Sequence, residues 1–270
     1  MAFMVAMPIL AAVIGAVSLM SGFGLGTVLM PFFALTLPIE IAITATAVVH
    51  LTNNIFKVAL VGRHADPGVF VRFGVPAVIA AICGAAVLAM IAPAEPWARW
   101  RLGGAEGYEA VVTPAKVVTA LLLATFATLE LLPRFQSLRM PLRAMPLGGA
   151  LSGFFGGLTG MQGALRAPFL LRAGLTKDQF VGTTCVVSTA VDLARLLAYA
   201  VGLTWLSRAH DHAPLAEPST LTLVILTALG GCIGSLLGRT LLSHITLRGV
   251  RITVAVMLYV LAVALGCGLA

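Results

Sequence analysis

Apolar residues run along this chain in eight long stretches, and polar residues gather in the gaps between them. The stretches cover 4–37, 41–62, 73–91, 115–132, 144–171, 180–203, 221–237 and 249–270. Each approaches or exceeds the ~20 residues a helix needs to cross a bilayer. A basic, proline-containing link at 133–146 divides them four and four. The pattern predicts an all-α integral membrane protein.

Two departures from plain apolarity carry the detail. The first and fifth stretches are longer than one crossing, and each is interrupted. The first holds Gly22-Phe23-Gly24-Leu25-Gly26, followed by Pro31. The fifth holds Gly156-Gly157-Leu158-Thr159-Gly160-Met161-Gln162-Gly163, followed by Pro168. Laying Pro31 on Pro168 also lays Gly26 on Gly163, an offset of 137. Glycine clusters weaken a helix, and backbone groups freed there survive in hydrocarbon only where protein or water meets them.

The second departure lies in the following stretch of each half. His50, Asn53, Asn54 and Lys57 recur at i, i+3, i+4 and i+7, so they share one helical face. A shift of 138 lays Thr46 on Thr184, His50 on Ser188, Asn54 on Asp192 and Lys57 on Arg195. The chain therefore reads as an internal repeat, with an N-terminal membrane unit at 1–135 and a C-terminal one at 143–270.

Loop charges choose between two topologies. If all eight stretches cross, Arg63, Arg72, Arg134, Arg139, Arg143 and Arg208 face eight other basic residues, which orients nothing. If stretches one and five return to the side they entered, one side collects Arg63, Arg72, Arg134, Arg139, Arg143, Arg172, Lys177, Arg239, Arg248 and Arg251. The other keeps Arg99, Arg101, Lys116 and Arg208, diluted by five carboxylates. That bias predicts six spans, two glycine-broken re-entrant hairpins and both termini outside. Each half then has an odd number of crossings, so the halves are inverted repeats, a known transporter plan. A kinked full crossing of each broken stretch is the alternative.

Composition agrees with this frame. A chain 60% hydrophobic and 10% charged lacks the polar surface to cover a soluble fold. The net charge of +7 sits mostly in short loops, where it sets topology and meets anionic headgroups, so nucleic acid is not an expected partner. Cys83, Cys185, Cys232 and Cys267 occupy separate apolar stretches and read as small buried hydrophobes; no metal site or cofactor is expected. The first stretch lacks a charged leader and reads as a membrane segment rather than a signal peptide. Trp97, Trp100 and Trp205 suit an outer interfacial belt. Gly230, Gly234 and Gly238 form a close-packing stripe, within the chain or between protomers of a homo-oligomer.

Charges inside spans cost roughly 2.5–3.5 kcal/mol each on insertion scales, so they mark a pathway by default. Here Lys57, Arg166 and Arg195 outnumber Asp192, and half-helix N-termini at Thr27 and Ala164 would add partial positive charge. The surplus favours an anion. The expected substrate-binding set is Gly22, Gly24, Gly26, Asn53, Asn54, Lys57, Gly160, Gln162, Gly163, Arg166, Asp192 and Arg195, with His50 and Asp192 as proton-coupling groups. Plainer readings stand beside it. Lys57 could snorkel to the inner headgroups. Arg195 could be consumed by Asp192 as an i, i+3 ion pair. Arg166 could reach a surface, His50 could be a hydrogen-bonded packing residue, and Thr44, Thr46, Thr183 and Thr184 could bond their own helix. No enzyme motif occurs, and an intramembrane hydrolase built on His50 and Ser188 has nothing in its favour. A passive anion channel would use the same cations as a carrier.

The two glycine breaks with Pro31 and Pro168, together with His50-Leu51-Thr52-Asn53-Asn54-Ile55-Phe56-Lys57 running on to Gly62-Arg63-His64-Ala65-Asp66, resemble the sulfite exporter TauE/SafE family of membrane permeases. The likeness covers nearly the whole chain. Members commonly carry three consecutive glycines at the break; here Leu25 interrupts the first copy and Met161-Gln162 stands in the second. The resemblance implies a secondary permease in the cell (inner) membrane, moving small sulfur-containing anions such as sulfite and organosulfonates, often outward.

Overall fold

A computed structural model describes residues 2–21, 25–102, 107–207, 217–241 and 247–269. The expected break of the fifth stretch appears between α8 (Met145–Thr159) and α9 (Gly163–Leu170); the first stretch holds α1 (Ala2–Ser21) and α2 (Leu25–Ala34), and its expected break at 22–24 lies outside the described residues. Between them come α3 (Ile39–Val61), the single turn α4 (Pro67–Val69), α5 (Val75–Ile91), α6 (Pro114–Leu131) and the short α7 (Pro133–Gln136). The chain continues as α10 (Lys177–Ser207), α11 (Pro218–Leu241) and α12 (Leu247–Gly266). The second half-helix of the fifth stretch starts at Gly163, one residue ahead of the expected Ala164.

Five helices among the described residues are long and apolar enough to cross a membrane: Ile39–His64, Pro67–Ile91, Pro114–Leu131, Lys177–Gly202 and Pro218–Gly238. They answer the second, third, fourth, sixth and seventh stretches. The eighth supplies a shorter apolar run, Val254–Gly266. The outer faces carry Val13, Ile79, Leu197, Val201 and Ile233, all more than half exposed, while Asp192 and Arg195 are wholly buried. Apolar outside and charged inside is the arrangement a hydrocarbon solvent imposes.

Glycine sets the tightest contacts. On α11, Gly230, Gly234 and Gly238 meet the carbonyls of Pro8, Ala12 and Ala16 on α1; a Cβ at any of them would collide with that backbone. The expected packing stripe therefore works within the chain. A second stripe, Gly149, Gly153 and Gly157 on α8, meets the carbonyls of Phe73, just before α5, and of Ala77 and Ala81 on α5. Both registers ascend together, so each pair is parallel. By contrast α3 and α10 are antiparallel: His50 meets Asp192 while Gly182 abuts the Val61 carbonyl and Ala65. Helix α6 is antiparallel to α12, with Thr128 bonded to Tyr259 and Gly266 beside Ala120.

Helix α9 folds back along α8. Pro168 O accepts from Met140 N at 2.9 Å, and Gly148 leaves the room that the Phe169 ring fills. The two ends of the fifth stretch thus lie together.

One sequence expectation needs correction and one feature was not foreseen. In the loop after α5, β1 (Ala98–Leu102) and β2 (Tyr108–Val112) form an antiparallel ribbon, with Trp100 opposite Ala110. Trp97 and Trp100 are exposed on it as expected of belt residues, whereas the Trp205 side chain lies outside the described part. Of the cysteines, Cys185 is buried and Cys232 half-buried, but Cys83 and Cys267 are exposed on outer faces, where lipid tolerates a small apolar thiol as readily as a core does; all four are free.

Candidate functional site

The polar face of α3 and that of α10 meet in the middle of the bundle, and the α8–α9 break closes over them. Asp192 is the hub. Its Oδ1 accepts from Arg195 Nε (3.0 Å) and Gln162 Nε2 (3.2 Å), and its Oδ2 from His50 Nδ1 (2.7 Å) and Asn54 Nδ2 (2.8 Å). Arg195 Nη2 also lies 2.8 Å from Oδ1, but too bent for a hydrogen bond, so it adds attraction alone. A bond that short between His50 Nδ1 and a carboxylate requires the proton on Nδ1. Asn54 Nδ2, 3.2 Å from that nitrogen, therefore spends its hydrogen on Asp192 instead.

The break is held by the same helix. At Gly160 the chain turns through φ +86°, a left-handed helix end that glycine adopts without a Cβ penalty. The last carbonyls of α8 have no intrahelical donors. Arg195 Nη1 donates to Gly156 O at 3.2 Å, and the Tyr199 hydroxyl donates to Gly157 O. A cation at a helix C-terminus is also favoured by the dipole. On the far side of the break, Ser152 Oγ donates to Gln162 O at 2.8 Å.

Arg166, one turn into α9, points at α10. Its Nη1 donates to Ser188 Oγ (2.7 Å) and Thr184 O (3.2 Å), and its Nη2 to Gln162 Oε1 (2.8 Å). Gln162 thus joins two guanidinium sites: its amide nitrogen serves Asp192 and its oxygen serves Arg166. Ser188 accepts from Arg166 while His50 serves Asp192, so the pair considered for hydrolysis take separate partners.

Lys57 and Asn53 face a different neighbour. In the amide orientation that satisfies its surroundings, Asn53 donates to Ser235 Oγ (2.7 Å) and Gly231 O (3.0 Å) and accepts from Lys57 Nζ (3.0 Å). Ser235 Oγ in turn lies 3.3 Å from Gly15 O, tying α1, α3 and α11 together. One face predicted from spacing is therefore split, His50 and Asn54 toward α10, Asn53 and Lys57 toward α11.

The plainer readings now sort themselves. Lys57 and Arg166 are each 3% exposed, so neither snorkels nor reaches a surface. The Asp192–Arg195 pair forms as expected. His50 is a hydrogen-bonded partner of Asp192. Thr44 and Thr46 bond their own helix, to Glu40 O and Ala42 O. Thr183 is tied elsewhere, its hydroxyl accepting from Asp66 N at 2.8 Å. Of the glycines, Gly160 lies against Arg195 and Gly163 opens α9; Gly26 falls in α2, while Gly22 and Gly24 lie outside the described residues. Tyr199, Ser235 and Ser152 complete the network and were missed. Tyr199 had a signal, since Asp192, Arg195 and Tyr199 follow i, i+3, i+7.

A family model described as Sulfite exporter TauE/SafE matches residues 7–265 of the chain. No curated protein and no solved structure gives a significant match.

Proposed function

The chain belongs to the sulfite exporter TauE/SafE family, and from that membership we propose a secondary permease that moves a small sulfur oxyanion, sulfite or an organosulfonate, outward across the cell (inner) membrane with proton coupling. The single observation that carries the reading is the buried hub. Among the described residues three buried cations, Lys57, Arg166 and Arg195, stand against one buried carboxylate, Asp192, which only Arg195 pairs directly. In this state Asp192 occupies the place an oxyanion would take. A substrate competing for Arg195, with Asp192 taking up a proton as it lets go, would couple the two fluxes. His50, bonded to the same carboxylate, is the proton donor at hand. We assign no enzymatic activity.

The two-repeat reading, 1–135 and 143–270, rests on three supports. Asn54 and Asp192, equivalent at offset 138, bond each other, as residues beside a two-fold axis do. Helix α3 packs on α10 and α6 on α12, each on its own counterpart. Helix α1 packs on α11 as α8 packs on α5. The adjacency of Met140 and Pro168 supports a re-entrant second hairpin, because a crossing would separate them by the membrane. The bond from Val111 N to Gly268 O supports a C-terminus on the side of the β-ribbon, which we assign to the outside.

The test is uptake and counterflow in proteoliposomes with sulfite, an alkanesulfonate and carboxylates. Saturable flux of the sulfur anions that responds to a pH gradient is expected. High unitary conductance without counterflow would make the protein a channel, and no anion flux would end the reading.

A further inference from the structure

We propose that the anion has a first landing site at Arg166 and Thr184, separate from the Asp192 carboxylate and reached from the end of α10 that packs on the 62–66 turn. The inference rests on the anion-permease reading above and goes beyond it in naming where the anion is held while Asp192 still keeps Arg195.

Arg195 has a counter-ion in Asp192. Arg166 is 3% exposed, yet its three hydrogen-bond acceptors are Ser188 Oγ, Thr184 O and Gln162 Oε1, all uncharged. Among the described residues no carboxylate comes within ion-pair distance of it. A guanidinium desolvated without a directly paired counter-charge is among the least tolerated arrangements in a protein interior. Asp192 attracts Arg166 only through space, because both of its oxygens are already engaged by groups from three elements.

Unused donors lie on the same two residues. Arg166 Nε and Thr184 Oγ1 are both buried and have no hydrogen-bond partner, and Thr184 is only 8% exposed. A mid-helix threonine ordinarily bonds the carbonyl four residues back, as Thr44 and Thr46 do. Thr184 does not. Its own carbonyl accepts from Arg166 Nη1, which keeps the two residues in register. Buried orphan donors are rare in native folds, and a guanidinium edge with a hydroxyl beside it is the donor set that takes an oxyanion. Lys57 adds positive potential, since the Cys185 thiol next to Thr184 lies within electrostatic reach of both Lys57 and Arg166.

The position suits a site of entry. Gly182 and Thr183, just before Thr184, contact the 62–66 turn, Thr183 by the bond from Asp66 N. Gln162 separates this site from Asp192 and bonds both. An anion drawing Arg166 away would free the Gln162 oxygen, and the amide could then turn from Asp192.

Thr184→Val deletes the hydroxyl while keeping the shape. Sulfite binding to the purified full-length protein, measured by isothermal titration and by the rise in melting temperature, reads the result. We expect Thr184→Val to bind at least about tenfold more weakly, a typical loss when one hydrogen bond to a charged ligand goes. Without sulfite it should melt no lower than the unaltered protein, since an unsatisfied buried donor has been removed. Thr184→Ser should restore binding. Thr184→Ala provides the same deletion by another side chain should the valine fit poorly. Unaltered affinity in Thr184→Val and Thr184→Ala would refute the landing site and leave the permease reading intact. Failure of the unaltered protein to bind any sulfur oxyanion would overturn both.

Discussion

Gly160→Ala tests whether the α8–α9 break and the charged hub are one device. The substitution acts twice. Residue 160 has φ +86°, and a left-handed backbone costs a residue with a Cβ roughly 1–2 kcal/mol. The added Cβ would also lie 2.8 Å from Arg195 Nη1. A long side chain can usually withdraw its tip, but this one is pinned. Arg195 is fully buried, and its Nε and Nη2 are held on Asp192. Withdrawal therefore breaks the bond to Gly156 O, worth about 1.5–3 kcal/mol for a charged donor. The two contributions come to roughly 2.5–5 kcal/mol.

Gly174→Ala supplies the control. Gly174 has φ +70°, so the backbone cost is similar, but nothing lies within 4 Å of the added Cβ. It should lose about 1–2 kcal/mol and transport normally. Melting temperature in detergent and initial rates of sulfite uptake into proteoliposomes, on both variants, read the comparison. The expected outcome is a larger fall in melting temperature for Gly160→Ala and at least a tenfold loss of rate, since 1.4 kcal/mol on the barrier suffices for that. Equal effects of the two variants on stability and rate would refute the coupling of break to hub.

Other outcomes follow from the same contacts. Asp192→Ala should destabilise the protein by about 3–5 kcal/mol by leaving Arg195 buried without its counter-ion, whereas Asp192→Asn should fold better and flatten the pH dependence of uptake; a pH profile unchanged in Asp192→Asn removes the carboxylate from proton coupling. Gly153→Leu and Gly234→Leu should each abolish folding by prising α8 from α5 and α11 from α1, while Leu229→Ala on the outer face should change melting little; folded Gly153→Leu protein would contradict the close packing. With native cysteines replaced, Thr36→Cys and Trp97→Cys should label from one side and Arg139→Cys from the other; labelling of Thr36→Cys with Arg139→Cys would restore a crossing first stretch. On an alternating plan, Lys57→Gln should impair loading from the inside more than from the outside and Arg195→Gln the reverse, and equal effects on both faces would exclude alternation.

Helix positions and the buried face of α3 were legible because each depends on spacing along one element. Apolar runs of crossing length mark spans in any lipid, and i, i+3, i+4, i+7 forces His50, Asn53, Asn54 and Lys57 to one side of a helix. What spacing cannot state is which neighbour that side meets. The split of the face between α10 and α11 follows from how α3 wedges between them, a tertiary fact. The same holds for Arg166 and Lys57, whose nearness to helix ends in sequence suggested surfaces that the packing denies them. Glycine was read too narrowly. The fifth stretch has two sets of glycines, and only Gly160 serves the turn, while Gly149, Gly153 and Gly157 serve contact with α5. Their spacing of four matches that of Gly230, Gly234 and Gly238, so the signal was present. The β-ribbon was missed because its strands are short and its apolar alternation is weak; beyond its own pairing it is anchored by the bond from Val111 N to Gly268 O.

On the two-repeat reading, the most informative positions are those where the repeat fails to copy itself. Residues beside a two-fold axis meet their own equivalents, so an identical pair is placed in contact with itself. Aspartate at both 54 and 192 would set two carboxylates about a hydrogen-bond length apart, and they could not both stay ionised. Asparagine at both would leave Arg195 buried without a counter-ion. One of each lets the Asn54 amide donate to the Asp192 carboxylate, and the contact holds at 2.8 Å. The same asymmetry reaches the cations: Arg195 is held by a carboxylate, Lys57 by the amide oxygen of Asn53. The two halves therefore grip their cations with different strength. In a transporter that rocks about such an axis, the state that keeps Asp192 on Arg195 is the one favoured without substrate. An anion that competes with Asp192 then draws most of its effect from the half in which the symmetry is broken.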